Sequence, residues 1–420
     1  MSTFESLRIR NFRLLLAGTT LSYAAIWIQQ VTLSWLIYDL TSSGTMLGSL
    51  NLIRSMASVG MIPIAGLLID RVQRRGLLLF VNAWLFTFTF TFAVILLCGY
   101  SRISYIFFFS FMGGLAQTVN NNLRQVLVFD LVPRRFAPNA LAIIQIGWSI
   151  MRSFGPGLGG LLILWFGPGG NFLIQSCAYV LIAITILYIT FPERRMEPSR
   201  NSPLENIREG IRYVSKERET RTFMLMGFVF PLFIIPIFSI LPAVYAADVF
   251  HGGADVLGYI MSSIGIGGIV GGFFTASLSK VERRGLLQLG ALLLVSLTLM
   301  SFAFCTRLWI ALLVMATAGF FEIIFLTTNQ TLLQLSIPDD IRGRVTSIVN
   351  LNGVIMPMGG LMAGVGSDLF GGPKTITIIM SGTAACIAVL VYLFSTTIRN
   401  YQLSQAIGKS SKEPYTDALT

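Results

Sequence analysis

Long apolar stretches, separated by short polar segments, run along almost the whole chain. A helix that crosses the hydrocarbon of a bilayer needs about 20 mostly apolar residues. Twelve such stretches can be read from the sequence, six in each half. The pattern predicts an all-α polytopic membrane protein with twelve transmembrane helices in two pseudo-symmetric six-helix bundles. The predicted spans cover residues 14–38, 46–68, 77–97, 103–128, 140–166, 172–191, 223–247, 256–278, 286–305, 308–335, 345–370 and 375–395.

A short basic segment occurs twice, half a chain length apart. The sequence VQRRGLL at residues 72–78 returns as VERRGLL at residues 281–287. Each copy lies between two apolar runs, which indicates a duplicated membrane unit of the kind from which many transporters are built. The predicted organisation is an N-terminal bundle over residues 1–191, a cytoplasmic linker with an amphipathic helix over 192–221, a C-terminal bundle over 222–397 and a cytoplasmic tail over 398–420.

Composition and charge place the chain in a membrane. It is 54% hydrophobic and 12% charged, with a mean hydropathy of +0.74, so the lipid bilayer is its solvent. The net charge of +11 could indicate nucleic acid, but the basic residues are scattered among short loops on one side. On the other side the connections hold only Arg102, Arg307 and Lys374. The positive-inside rule then assigns both termini to the cytoplasm of a multi-pass protein in the cell membrane, plasma or inner, and we expect no nucleic-acid partner.

The loop after the second predicted span reads GLLIDRVQRR over residues 66–75. This segment resembles the signature of the major facilitator superfamily, with Gln73 in place of the usual second glycine. The resemblance implies a cytoplasmic gate motif whose acidic and basic side chains hold one conformation closed. The alternative, that these arginines only set topology, accounts for the basic residues but not for Asp70. The residues of this motif are Gly66, Asp70, Arg71, Arg74 and Arg75.

The fifth predicted span contains GPGLGG at residues 155–160. Its Gly155, Pro156, Gly159 and Gly160 match the core of a motif of superfamily antiporters, and ordinary small-residue packing is the alternative. With the segments at 10–15, 35–41 and 122–135, the chain resembles the branch that contains enterobactin exporters and macrolide efflux proteins.

Polar side chains inside the spans are the candidates for a substrate cavity, because charged groups in hydrocarbon are costly. In the resembled fold, spans 1, 4, 7 and 10 line a central cavity. Glu322 is the candidate proton-coupling residue, with a structural ion pair or a neutral hydrogen-bonded carboxyl as alternatives. Arg152 could bind an anionic substrate, neutralise Glu322 or be structural, and Asp130 is expected to contact Arg134 or Arg135. The candidate cavity residues are Trp27, Gln29, Gln30, Gln117, Asn120, Asn121, Arg152, Glu322 and Asn329.

The sequence predicts a secondary active transporter and not an enzyme. It has no Walker-type loop, no nucleophile–base constellation and no metal-ligand cluster, so we expect no cofactor and no metal. We expect a monomer that exports a small organic molecule, such as a drug, siderophore or hydrophobic metabolite, by proton antiport with alternating access. Two alternatives stay open: an uptake or uniport carrier without proton coupling, and a non-transporting membrane sensor or assembly protein.

Overall fold

The computed structural model describes residues 5–191, 211–278, 281–337, 341, 345, 352–399 and 401, and these residues form helices and connecting turns. Most of the predicted linker lies outside the described residues, although residues 211–216 are helical. The tail beyond residue 401 also lies outside them. The long helices are α1 Arg10–Thr41, α2 Gly44–Arg71, α3 Arg74–Leu97, α4 Ile103–Leu131, α5 Ala137–Tyr188, α6 Arg218–Val249, α7 Ala254–Ser277, α8 Arg284–Ala303, α9 Leu308–Leu335, α10 Asn352–Leu369 and α11 Pro373–Phe394.

These helices confirm the predicted all-α membrane class. Within the described ranges, nine helical stretches are long and apolar enough to cross a membrane. Every predicted span overlaps a helix in the described residues, although the sixth, ninth, eleventh and twelfth predicted spans run one to three residues past the helix end, and α9 has the bounds that the apolar run predicts. The count of twelve spans stays a prediction.

The fifth and sixth predicted spans are joined without a loop. Helical hydrogen bonding runs through Ala137–Tyr188, interrupted only at Gly167, whose φ of 67° and ψ of 174° are not helical. Glycine occupies this left-handed region without the steric cost that a Cβ would bring. Beyond this residue the chain folds back, as the hydrogen bond from Nδ2 of Asn171 to the carbonyl of Gly159, at 3.3 Å, shows. α5 is therefore a helical hairpin.

By contact, the chain groups into two compact units. Unit 1 comprises Met1–Ser199 and Pro242–Gly265, and unit 2 comprises Arg200–Leu241 and Ile266–Thr420. Unit 1 thus includes the last part of α6 and the first part of α7.

Unit 1 is built around α1, which packs along α5, while α2 packs on α4 and α3 on both α4 and α5. One apolar core runs through these helices, with residues such as Phe12, Leu78 and Leu123 fully buried. Phe92 and Phe109 stack at 4.4 Å between ring centroids, and Phe172 meets both rings edge-on.

Unit 2 is built around α8, which packs on α9 and α11. Helices α7 and α9 approach at backbone distance, since a Cβ added to Gly267 would lie 1.7 Å from the carbonyl oxygen of Ala316. Phe230 of α6 stacks on Phe325 of α9 with ring centroids 4.8 Å apart. Small residues thus permit close helix contacts, as membrane helix packing requires.

Helix α6 is irregular, although its sequence predicts one plain span. Residues Phe230–Ile234 and Tyr245–Val249 form π-helical turns. Pro231 and Pro236 lie in and just after the first turn and remove backbone donors there. Such turns are frequent at functional sites and allow local bending.

Candidate functional site

A chain of hydrogen bonds links α1 and α4 in the interior of unit 1. Asn120 donates from Nδ2 to Oγ of Ser22 at 3.0 Å. The Oδ1 of Asn120 accepts from Nε of Arg124 at 3.0 Å, and Nη1 of Arg124 donates to Oγ1 of Thr19 at 3.3 Å. Asn120 is 1% exposed and Arg124 is 4% exposed. A buried guanidinium group is thus held by neutral oxygens.

Neighbouring amides and a second arginine extend this polar interior. Arg54 of α2 donates from Nη1 to Oε1 of Gln30 at 2.6 Å. Gln175 of α5 donates from Nε2 to the carbonyl of Ala25 at 3.1 Å and to Oε1 of Gln29 at 3.4 Å. Gln117 donates to Oδ1 of Asn121, one turn further along α4, at 2.8 Å. The structure therefore places the predicted cavity residues of spans 1 and 4 on adjoining helices. We call them and their hydrogen-bond partners the α1–α4 polar cluster. Its members are Thr19, Ser22, Gln29, Gln30, Arg54, Gln117, Asn120, Asn121, Arg124 and Gln175.

Several polar atoms in and beside this cluster are buried without a hydrogen-bond partner. They include Nε1 of Trp27, Oε1 of Gln117, Nη2 of Arg124 and Oε1 of Gln175. Unmet donors and acceptors in a buried site can be satisfied by water or by a bound molecule. The Trp148 ring completes an aromatic edge, at 5.4 Å from Trp27 and close to Tyr23.

The glycine–proline segment of α5 packs against backbone on two sides. A Cβ added to Gly155 would lie 2.7 Å from Cβ of Trp27, and one added to Gly159 would lie 3.2 Å from Cα of Ile28. On the α7 side, a Cβ added to Gly160 would lie 2.4 Å from the carbonyl oxygen of Ala254. All four glycine and proline positions of the predicted antiporter motif, including Pro156, are buried in unit 1. These small residues therefore permit close helix packing, and the antiporter role remains a prediction.

A hydrogen bond also joins this segment of α5 to α7. The N–H of Gly157 donates to Oγ of Ser262 on α7 at 2.8 Å. Ser262 belongs to unit 1, like α5. The segment is thus joined to α7 by a polar contact as well as by close packing.

The predicted gate motif lies at the end of α2 and the start of α3. Arg74 forms an ion pair with Asp130 at the end of α4, and Arg75 donates from Nη2 to the carbonyl of Leu187 at 3.1 Å. Gly66, Asp70 and Arg71 are exposed on the last turns of α2. The ion pair of Asp130 is with Arg74, whereas the sequence favoured its neighbours Arg134 and Arg135. Arg135 instead lies over the ring of Phe136, with its guanidinium carbon 4.5 Å from the ring centroid.

The candidate residues of unit 2 lie on α9. Glu322 is 1% exposed in the middle of this helix. Asn329, two turns further on, accepts at Oδ1 from Nε2 of Gln288 on α8 at 2.6 Å. Arg152 is partly buried on α5 in unit 1. Within the portion of the chain that is described, no group of three or more histidine, cysteine or carboxylate residues could hold a metal ion.

The family of the chain follows from sequence comparison. Residues 1–418 match the sequence profile of the transmembrane secretion effectors, a family of the major facilitator superfamily. The chain belongs to this family. This transporter is similar to the staphyloferrin A transporter of Staphylococcus aureus, with 25% identity over 395 residues that cover 91% of the chain and 96% of that protein. It is also similar to the multidrug efflux pump Tap of Mycolicibacterium fortuitum, at 26% identity over 55% of the chain and 56% of the pump.

Solved structures agree on the fold of this transporter. A nucleoside transporter NupG variant superposes with a TM-score of 0.74 at 11% identity, covering 92% of the chain and all of that protein. A D-xylose–proton symporter superposes with a TM-score of 0.70 at 13% identity, covering 94% and 100%. The family match and the two sequence relatives confirm the predicted superfamily and its siderophore and drug branch, and they confirm a multi-pass membrane transporter and not an enzyme.

Sequence reasoning identifies Arg54 and Arg124 as charges inside apolar runs, and that signal marks both as candidates. It misses two amides of the polar interior. Gln175 and Gln288 are 2% and 0% exposed and lie on helices that the resemblance does not assign to the cavity. Only the structure shows that each amide bonds to a predicted cavity residue, Gln29 or Asn329.

Proposed function

We propose that this transporter exports a small organic molecule, such as a drug, siderophore or hydrophobic metabolite, in exchange for protons across the cell membrane. The observation that carries the proposal is the match of nearly the whole chain to a family of secretion effectors. The names of the staphyloferrin A transporter and of the Tap pumps support the same class of substrate.

Glu322 is the proposed proton-coupling residue. Its carboxyl group is almost fully buried in the middle of a helix that must cross hydrocarbon. An ionisable side chain at mid-depth in a membrane span is a functional candidate by default. A site that exchanges its proton for the substrate would couple export to the proton gradient.

The α1–α4 polar cluster and the aromatic edge are the proposed substrate-binding surface of unit 1. They combine amide and guanidinium groups with the aromatic rings of Trp27, Trp148 and Tyr23. A surface that offers both apolar rings and polar anchors suits bulky amphipathic molecules. In unit 2, Glu322 and Asn329 are the proposed polar residues of the transport pathway.

The predicted gate motif is proposed to control the cytoplasmic side, with both termini in the cytoplasm. The ion pair of Arg74 with Asp130 and the contact of Arg75 with the end of α5 hold the start of α3 against its neighbours. That anchoring would leave Asp70 and Arg71 on a fixed helix end, available for contacts that change during the cycle. We further propose a monomer that works by alternating access.

Everted membrane vesicles test export and coupling together. A pH jump that makes the lumen acidic should drive uptake of an anionic dye, carboxyfluorescein, or of a cationic dye, ethidium. We expect Glu322→Gln to abolish proton-driven uptake, and Glu217→Gln, at an exposed position outside the spans, to leave it intact. Uptake that ignores the pH jump would favour a uniporter, and unchanged proton-driven uptake in Glu322→Gln would remove that residue from the mechanism.

A further inference from the structure

Arg124 is the most unusual charged group in unit 1. It is 4% exposed, and its hydrogen bonds go to Asn120 and Thr19, both neutral. Its Nη2 is buried with no partner. A buried cation in a membrane span ordinarily pairs with an anion or with backbone carbonyls. In the described part of the chain, Arg124 forms no ion pair with a carboxylate.

The charge balance of the surrounding interior points the same way. Arg54 also bonds to a neutral partner, Gln30, and Tyr179 lies close enough to interact electrostatically with both arginines. The carboxylates of unit 1 that the structure describes lie near helix ends, where Asp130 pairs with Arg74. The polar interior of unit 1 therefore holds positive charge without an internal counter-ion at Arg124.

The position of Arg124 makes it reachable from the half-buried part of the cluster. Asn121 and Gln117 are partly exposed on the preceding turns of the same helix, and Gln117 also has an unmet acceptor. Tyr23 is also partly exposed, on α1. Asn121 and Gln117 precede Arg124 by about one and two helical turns, so a molecule held among these amides lies near its Nη2.

We propose that Arg124, positioned by Asn120 and Thr19, is an anion-binding subsite that receives a carboxylate group of the exported molecule. The inference rests on the proposed export function and narrows its substrate to an organic anion. The guanidinium group offers Nη2 as a charge-assisted donor, and the desolvated surroundings strengthen that bond. Nη1 and Nε stay engaged with the protein and fix the direction of the donor.

The test uses full-length protein in everted vesicles with carboxyfluorescein as the carboxylate probe and ethidium as the cationic one. We expect Arg124→Gln to lower carboxyfluorescein uptake roughly 10-fold or more and Arg124→Lys to retain part of it. Arg102→Gln, at an exposed arginine just before the same helix, should leave uptake unchanged. Equal carboxyfluorescein uptake in Arg124→Gln and the native protein would overturn the proposal.

A second variant separates ligand binding from folding. Asn120→Asp places a carboxylate where the amide oxygen now accepts from Nε of Arg124 at 3.0 Å. This internal counter-ion should raise the unfolding temperature while lowering carboxyfluorescein uptake, since the arginine is then neutralised. Full uptake in Asn120→Asp would overturn the subsite, because a purely structural arginine tolerates that exchange.

The two dyes also distinguish this inference from the function on which it rests. Proton-driven uptake of ethidium without carboxyfluorescein would refute the anion subsite and leave export standing. Vesicles that take up neither dye would contradict the proposed function, and the subsite with it.

Discussion

Replacing Gly160 by alanine adds one methyl group where α5 meets α7. The new Cβ would lie 2.4 Å from the carbonyl oxygen of Ala254 and 3.1 Å from Cα of Asp255, both backbone atoms. Side-chain rotation cannot relieve such a contact, so the helices must separate. Overpacking of this kind costs about 1–3 kcal/mol, while the higher helix propensity of alanine returns roughly 1 kcal/mol.

Two matched variants calibrate the effect. At Gly60 of α2 nothing lies within 4 Å of an added Cβ, so Gly60→Ala should gain about 0.5–1 kcal/mol from propensity alone. At Gly157 the nearest atom is Oγ of Ser262, at 2.8 Å; this side chain can rotate away, at the loss of the hydrogen bond that it accepts from the N–H of Gly157. We expect Gly60→Ala to be the most stable of the three variants, Gly157→Ala to be intermediate and Gly160→Ala to be the least stable.

The measurement is the unfolding midpoint of detergent-purified protein, followed by tryptophan fluorescence at one scan rate, because unfolding of large proteins is often irreversible. A difference of about 2 kcal/mol corresponds to a few degrees for a chain of this size. If Gly160→Ala melts at or above Gly60→Ala, the close approach of α5 and α7 is not a constraint on this fold, and the packing argument is refuted.

Three further predictions concern helix ends and Tyr401 of the tail. The partly buried pair Arg74–Asp130 should show a coupling of about 1 kcal/mol in a double-mutant cycle to alanine, weaker at high salt, and additive single effects would contradict it. Tyr38→Phe removes a 2.6 Å hydrogen bond to Asp248 and should cost about 1 kcal/mol in unfolding experiments; an unchanged midpoint would refute this. Burial raises the pKa of Tyr401 to about 12, so the unfolded chain ionises first near pH 10 and stability falls between pH 10 and 12. Tyr401→Phe should flatten that alkaline loss, and an unaltered slope would count against the assignment.

The span positions could be predicted because bilayer thickness sets them. The run at residues 308–335 became α9 with the same bounds, since one apolar segment of sufficient length has one way to satisfy its backbone in lipid. The hairpin at Gly167 could not be predicted as a direct join. Apolar length does not distinguish a short loop from a single left-handed residue.

The polar interior was predicted in part for a related reason. Amides inside apolar runs, such as Gln117 and Asn120, are visible in a sequence because they oppose the local composition. Their partners are set by packing between distant helices, so nothing local indicates that Arg124 meets Thr19. Likewise, nearness in sequence favoured Arg134 for Asp130. Extended backbone at Val132 ends α4, and Asp130 pairs instead with Arg74 at the start of α3.

The hairpin of α5 has a consequence for biosynthesis. Because a single residue, Gly167, separates its two segments, we expect the two segments to enter the bilayer as a pair. The first segment carries Arg152, and a charge at the centre of a lone helix costs about 2.5–3.5 kcal/mol on insertion scales. Paired entry lets the apolar second segment contribute to the same partitioning step. The turn thus makes two spans one unit of membrane insertion, and lengthening it should make integration of the arginine-bearing segment depend on that segment alone.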